Sequence, residues 1–424
     1  MGLVKKIGEN FFWRGLYLAS LFVINLVMAR SMGANASGRF FLLINNLAFV
    51  ILITSICLEA AIVFLGASRK IAIAKLATMG LLWCIPATIV SVLILSFSGL
   101  VPKESYNLPV LTAYIFSFLL INTITALFHS QQNFATVNQV LLSVNCLFIL
   151  FFFILSTQLF GLVKEPVTDK SAVYRLLIWG YFITVFSQGL LLIIVLRIKF
   201  PSLRWCFPNK DEWRMMSWYA FQSLASNIIF FLVSRVAYWF VQYYCEESSL
   251  GNYIQVSRLG QIFILPSVLI AGSLFPQTAG GHVSLQKSNF TLLSRIFVVL
   301  YIVALLATVI LGRPVISFLW GTEYNELYGA WVLYVPGVLF LAISYLFSPY
   351  FAGKGKVAYN IMIGILTLII VVGGSYVLIP IWGIRGAALA SSGGFMIMMI
   401  AYIIIAKIKF GYRFRFKPVL PANV

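Results

Sequence analysis

Apolar residues fall in long blocks along this chain, and polar residues collect in the short stretches between them. The blocks lie at about 11–29, 40–65, 76–98, 108–128, 137–160, 174–196, 216–241, 253–275, 292–311, 331–351, 358–379 and 386–406. Each is close to or above the roughly 20 residues a helix needs to cross hydrocarbon. Inside the blocks there is no strict alternation of apolar and polar positions, so they do not read as barrel strands. A backbone in lipid must satisfy its own hydrogen bonds, and helices do this within one segment. The pattern predicts an all-α polytopic membrane protein with about twelve transmembrane helices. The longest connections lie near 197–215, 277–291 and 312–330, and none could hold a separate soluble domain.

Composition agrees. The 424 residues are 61% hydrophobic and 10% charged, with mean hydropathy +0.98, whereas a soluble domain is about a quarter charged. The formal charge of +19 would suggest nucleic acid in a soluble protein. Here it follows the loops, and no nucleic-acid partner is expected. Lys5, Lys6, Arg69, Lys70, Lys75, Arg197, Lys199, Arg204, Lys210, Arg214, Lys354, Lys356, Lys407 and Lys409 fall on the side of the N-terminus. On the other side Arg30, Arg39, Lys103, Lys164, Lys170, Arg313 and Arg385 are nearly balanced by acids such as Glu246, Glu247, Glu323 and Glu326. The positive-inside rule then puts both termini in the cytoplasm. Lys5, Lys6 and Ala34-Asn35-Ala36 imitate a signal peptide. The apolar run between them is too long, and Arg30 interrupts it, so it reads as a retained first span. Five scattered cysteines form no CxxC pair, and His129 and His282 lie apart in expected loops. No metal site is expected.

The stretch 199–214 mixes Pro201, Pro208, Trp205 and Trp213 with basic residues, a composition suited to the inner membrane interface. It divides the chain into an N-terminal six-helix bundle at 1–198, a cytoplasmic interfacial linker at 199–214, and a C-terminal six-helix bundle with a basic tail at 215–424. Two short echoes link the halves. Ser37-Gly38-Arg39-Phe40 matches Leu250-Gly251-Asn252-Tyr253, and the His129–Ala135 stretch matches Gly353–Ala358. Six-span halves keep one orientation, so this would be a parallel pseudo-repeat with its substrate site between the halves.

Polar residues inside the blocks are the candidate chemistry. Arg235 lies several turns into span seven and Arg258 near the outer end of span eight. A guanidinium stays charged at any accessible pH, and placing one at bilayer depth costs about 2.5–3.5 kcal/mol or more. It therefore faces a wet cavity or a partner. At about 100° per residue, Ser223, Asn227, Ser234, Arg235 and Gln242 share one third of span seven, and Gln255, Arg258 and Gln261 share a face of span eight. Asn45, Ser55 and Glu59 line span two, and Arg14, Asn25 and Ala29 line span one. The substrate-binding candidates are Arg235, Arg258, Asn25, Asn45, Asn227, Gln255 and Gln261. Asn, Gln and Ser in spans also simply bond neighbouring helices, and Arg258 could snorkel. Glu59 is a candidate for coupling to H+ or Na+, or for a salt bridge with Arg235 or Arg258. No pair of groups suits catalysis. Pro86, Pro266, Pro336 and Pro349 mark kinks or hinges.

Three stretches carry a resemblance. They are Gly33-Ala34 through Gly38-Arg39-Phe40 to Leu58-Glu59-Ala60-Ala61; Leu250-Gly251-Asn252-Tyr253 through Arg258-Leu259-Gly260-Gln261 to Leu274-Phe275-Pro276; and Pro336-Gly337 through Gly353-Lys354-Gly355-Lys356 to Trp382-Gly383-Ile384-Arg385-Gly386-Ala387-Ala388. In this order they resemble the Wzx-type polysaccharide flippases of the multidrug/oligosaccharidyl-lipid/polysaccharide exporter (MOP) superfamily. Relatives often carry Arg-x-Asp in span seven; here Arg235-Val236-Ala237 keeps the arginine without the acid. The resemblance implies alternating access between two bundles and export of an undecaprenyl-pyrophosphate-linked oligosaccharide across the bacterial cytoplasmic membrane. Membrane lipids, a polysaccharide polymerase and chain-length machinery would be its partners. Guanidinium forks suit pyrophosphate oxygens. One alternative is a multidrug or organic-cation exporter of the same superfamily, which would favour acids over arginines. Another is a membrane polysaccharide polymerase or ligase, which the short loops disfavour.

Overall fold

The computed structural model describes residues 3–100, 107–159, 170–201, 203–279, 288–354 and 356–411. The described residues form twelve helices and no strand. They are α1 (Leu3–Thr54), α2 (Leu58–Ala67), α3 (Ile73–Ser98), α4 (Leu108–Ser130), α5 (Phe134–Leu159), α6 (Lys170–Lys199), α7 (Lys210–Tyr244), α8 (Glu247–Ala279), α9 (Ser288–Ile310), α10 (Gly312–Trp320), α11 (Leu327–Gly353) and α12 (Val357–Phe410). Eight of them are long and apolar enough to cross a membrane. Counting α9 and α10, bent by 69° at their junction, as one span makes nine. The chain is an all-α, multi-pass membrane protein, as the hydropathy pattern predicts.

The two longest helices hide a second span each. At about 1.5 Å per residue, the 54 residues of α12 would reach about 80 Å, far beyond a bilayer core of about 30 Å. Gly383 breaks the run with φ 56° and ψ −137°, a conformation open essentially to glycine. Packing shows that the chain reverses there. A side chain at Gly386 would strike the Leu378 backbone, one at Gly374 would meet Ala390 at 3.1 Å, and one at Gly394 would strike Val371. The partners' numbers converge on 382, so 357–382 and 384–410 are the arms of a helical hairpin. Small residues let the two backbones approach, which is how helices pack in lipid. In α1, Gly33 (φ 73°, ψ 173°) makes the corresponding break.

Three expected loops are corrected. Residues 30–39 are helical but for the break at Gly33. Within 312–330, Gly312–Trp320 form α10. The 197–215 connection keeps helix at both ends, since α6 runs to Lys199 and α7 starts at Lys210. His129 also lies in a helix, α4, with its ring 4.7 Å from Phe134.

The chain divides into two compact units, Met1–Ile228 and Ile229–Val424, and the division falls inside α7. In the first unit α4 packs on α2, α3 and α6, and α1 packs on α5 and α3. A buried polar chain ties three of these helices. Gln188 Nε2 on α6 donates to Asn145 Oδ1 on α5 at 2.8 Å, and Asn145 Nδ2 donates to Ser20 Oγ on α1 at 2.8 Å. Asn145→Leu is expected to destabilise this unit, and Gln188→Leu added to it should cost less than its effect alone. A coupling on the order of 1 kcal/mol in a double-mutant unfolding cycle in detergent is the expected reading. In the second unit α11 packs on α8 and α12. Ser392 Oγ donates to the Leu333 carbonyl at 2.8 Å beside Gly337.

Candidate functional site

Helix α7 carries exposed polar residues within its apolar run. Its start is fixed by reciprocal capping: Glu212 N–H donates to Asn209 Oδ1 and Asn209 N–H to Glu212 Oε2, both at 2.8 Å, which satisfies donors a helix N-terminus leaves open. Within the first unit, Tyr219 stacks on Phe64 at 4.4 Å and Asn227 Nδ2 donates to Cys57 Sγ at 3.2 Å. Within the second unit, Phe230 meets Tyr345 edge-on at 5.6 Å and Tyr238 meets Tyr253 at 5.8 Å. Aromatic packing thus anchors α7, and its polar stripe stays out of the core. Asn227 and Gln242 are exposed, and Ser223 and Arg235 are half-buried. The Arg235 guanidinium lies 5.0 Å from the Phe231 ring centre, within the range of a cation–π contact.

On α8 the expected face turns from core to surface within two helical turns. Gln255 is 1% exposed, Arg258 is half-buried and Gln261 is exposed. Trp320, on the α10 segment expected to be loop, donates its indole N–H to Gln255 Oε1 at 3.2 Å. The Gln255 amide nitrogen is buried with no protein partner among the described residues. Two residues before Gln255, Tyr253 shares a 3.0 Å hydrogen bond with Ser391.

In the first unit Asn45 is buried, and Asn25 donates back to the Leu21 carbonyl at 2.7 Å. Arg14 and Glu59 are half-buried. Glu59 stands in the first turn of α2, just after a break the hydropathy pattern does not show. Ile56 and Cys57 both have φ 52°. A β-branched residue is a clear outlier there, at a cost of about 1–3 kcal/mol. Neighbours hold the break open. Trp83 Nε1 donates to the Thr54 carbonyl at 3.0 Å, Thr54 and Ser91 share a hydroxyl hydrogen bond of 2.7 Å, and Asn227 reaches Cys57. Restarting the helix at Leu58 gives Glu59 a helix N-terminus, whose dipole favours a carboxylate. Within this unit and among the described residues, no cation pairs with Glu59. The break has no sequence signal, because Ser55-Ile56-Cys57 contains neither Gly nor Pro.

No protein-family model matches the chain, and no curated protein does. Solved structures match over nearly its full length. An outward-facing multidrug resistance MATE family transporter of the MOP superfamily aligns at 15% identity over 96% of both chains, with a TM-score of 0.68. An inward-facing one aligns at 13% identity over 97% of this chain and 95% of the other, with a TM-score of 0.69. The fold is that of the MATE transporters. A further MOP-superfamily transporter, from Pyrococcus furiosus, aligns at 15% identity over 96% of both chains, with a TM-score of 0.64. In the MATE fold this chain's helices make two lobes of six. The likeness is one of fold, and it does not reach the polysaccharide-flippase branch that the sequence resembles.

Proposed function

We propose that this chain is an alternating-access exporter of the multidrug type, moving organic ions out of the bacterial cytoplasm and coupled to inward movement of H+ or Na+. The observation that carries it is the near full-length likeness to transporters described in both outward-facing and inward-facing conformations. Glu59 is the acid suited to coupling, since it sits half-buried at a helix start with no cation paired to it among the described residues of its unit. An exporter coupled to H+ or Na+ needs a group that takes up and releases that ion once per cycle, and a carboxylate can do so. Asn227, bonded to the same break and open on its other side, would line the path.

A second reading keeps the lipid-linked oligosaccharide as substrate. Arg235 and Arg258 favour it, because two half-buried guanidinium groups at span depth repel organic cations and suit pyrophosphate oxygens. Asn25, Asn45, Gln255 and Gln261 would then serve the sugar chain, and polymerase and chain-length machinery would be the partners. The Pyrococcus furiosus transporter is described as having a binding pocket of reverse polarity that suggests a different function, which supports treating substrate charge as variable within this fold. Purified protein in liposomes separates the two. Accumulation of a cationic dye driven by an imposed proton or sodium gradient is the expected result for the multidrug reading. Movement of a fluorescent polyprenyl-pyrophosphate sugar between leaflets, without dye accumulation, would replace it with the second.

A further inference from the structure

The connection between α6 and α7 is pinned to the first unit through the Phe200 ring and the Cys206 backbone, and the Trp205 and Phe207 side chains are left outside. Phe200 packs edge-on against Phe128 at 5.4 Å, and the Cys206 N–H donates to Thr78 Oγ1 at 3.0 Å. Lys75 Nζ reaches both Glu212 oxygens, at 2.9 and 2.8 Å. On either side of Cys206, Trp205 is 59% and Phe207 is 70% exposed. Arg197, Lys199, Arg204, Lys210 and Arg214 are exposed around them. Aromatic rings beside basic residues at the end of a spanning helix are the composition of the lipid headgroup layer.

Within this surface lies a cavity whose lining, among the described residues, comes from one face of α7. It measures about 690 Å³ and is lined by Asp211, Arg214, Met215, Ser217, Trp218 and Phe221. Asp211, Arg214, Trp218 and Phe221 are three or four residues apart and therefore stack along the helix. From Arg214 to Phe221 the rise is about 10 Å. The end nearer the start of α7 holds one acid and one base, and the end deeper in the helix holds Trp218, 68% exposed, and Phe221, 56% exposed. Glu212 is taken by Lys75, but no ion pair joins Asp211 and Arg214 or engages either elsewhere among the described residues. Both charges are therefore available to one ligand.

We propose that this cavity is a binding site for a zwitterionic, amine-headed phospholipid of the surrounding bilayer. Arg214 takes the phosphate, Asp211 takes the ammonium group one turn away, and the upper acyl chain lies along Trp218 and Phe221. An anionic lipid such as phosphatidylglycerol would satisfy Arg214 but offer Asp211 only neutral hydroxyls, without the ion pair an ammonium group makes. The site is independent of the transported substrate.

Native mass spectrometry of the full-length chain in detergent, titrated with phosphatidylethanolamine or phosphatidylglycerol, tests it. Phosphatidylethanolamine should bind the more tightly. Arg214→Ala should weaken it by about tenfold or more, as expected for loss of a charged hydrogen bond. Asp211→Asn should abolish the preference between the two lipids. Lys210→Ala removes an equal charge outside the cavity and should leave binding unchanged. Equal or tighter binding of phosphatidylglycerol to the wild-type chain would overturn the assignment. So would a Lys210→Ala loss as large as that of Arg214→Ala, which would mean diffuse surface charge only.

Discussion

Gly386→Ala is expected to remove most of the folded protein. An added Cβ would lie 2.5 Å from the Leu378 carbonyl carbon and closer still to its oxygen. Both atoms are backbone, so no side chain can swing aside. Relief requires prising apart the two arms of α12 just where the chain has reversed at Gly383. Overpacking in a tight interface costs about 1–3 kcal/mol and sometimes more, and an obstructed backbone belongs at the upper end. Gly393 lies on the same arm, and a Cβ added there would meet nothing within 4 Å. Gly393→Ala should therefore be tolerated, and should gain slightly in helix propensity. The check is the monodisperse yield and melting temperature of both variants in detergent. Equal behaviour of the two would mean that the hairpin contact is not as tight as the packing requires.

That hairpin was legible in the sequence, and the break in span two was not, for one physical reason. Turns that need unusual backbone angles usually recruit Gly or Pro, and Pro380-Ile381-Trp382-Gly383 carries both. The boundary expected between 379 and 386 therefore matches the observed reversal at Gly383. Ile56 and Cys57 take left-handed angles between Thr54, which Trp83 and Ser91 bond from another helix, and Cys57 itself, which Asn227 bonds. Such long-range support leaves no local trace. The loops at 30–39 and 312–320 misled for the opposite reason. Gaps between the apolar blocks there read as connections, yet 30–39 is helical but for the break at Gly33, and Gly312–Trp320 is a short helix of its own. For the polar stripes, residue type and period were enough to find α7, whose Asn227, Arg235 and Gln242 remain open or half-open. They could not show that Gln255 is fully buried and held by Trp320, because α10 itself was not foreseen. The chain Ser20–Asn145–Gln188 was equally visible as polar letters in apolar runs. Only the arrangement in space tells a satisfied network from an open one.

Substitutions at Glu59 and Arg235 are expected to have opposite consequences under the two transport readings. Glu59→Gln keeps the shape and the hydrogen-bonding capacity but removes the charge. If the chain exports organic cations against a gradient, this variant should let dye equilibrate yet never accumulate, because no group remains to exchange H+ or Na+ for the substrate. Arg235→Ala should then leave export intact or improve it, since a like charge leaves the path. If the substrate carries pyrophosphate, the order reverses. Losing one charged hydrogen bond costs about 1.5–3 kcal/mol, so Arg235→Ala should raise the half-saturating substrate concentration by about tenfold or more. Arg235→Lys should recover only part of it, because an ammonium keeps the charge without the planar fork. The Phe231 ring beneath the guanidinium adds a control, for Phe231→Leu removes the cation–π support while retaining bulk. A drop with Phe231→Leu that parallels Arg235→Ala for a pyrophosphate substrate, and none for a cation, would tie the effect to the placement of that charge. Unchanged transport of both substrates in Arg235→Ala and Glu59→Gln alike would remove both residues from the transport path.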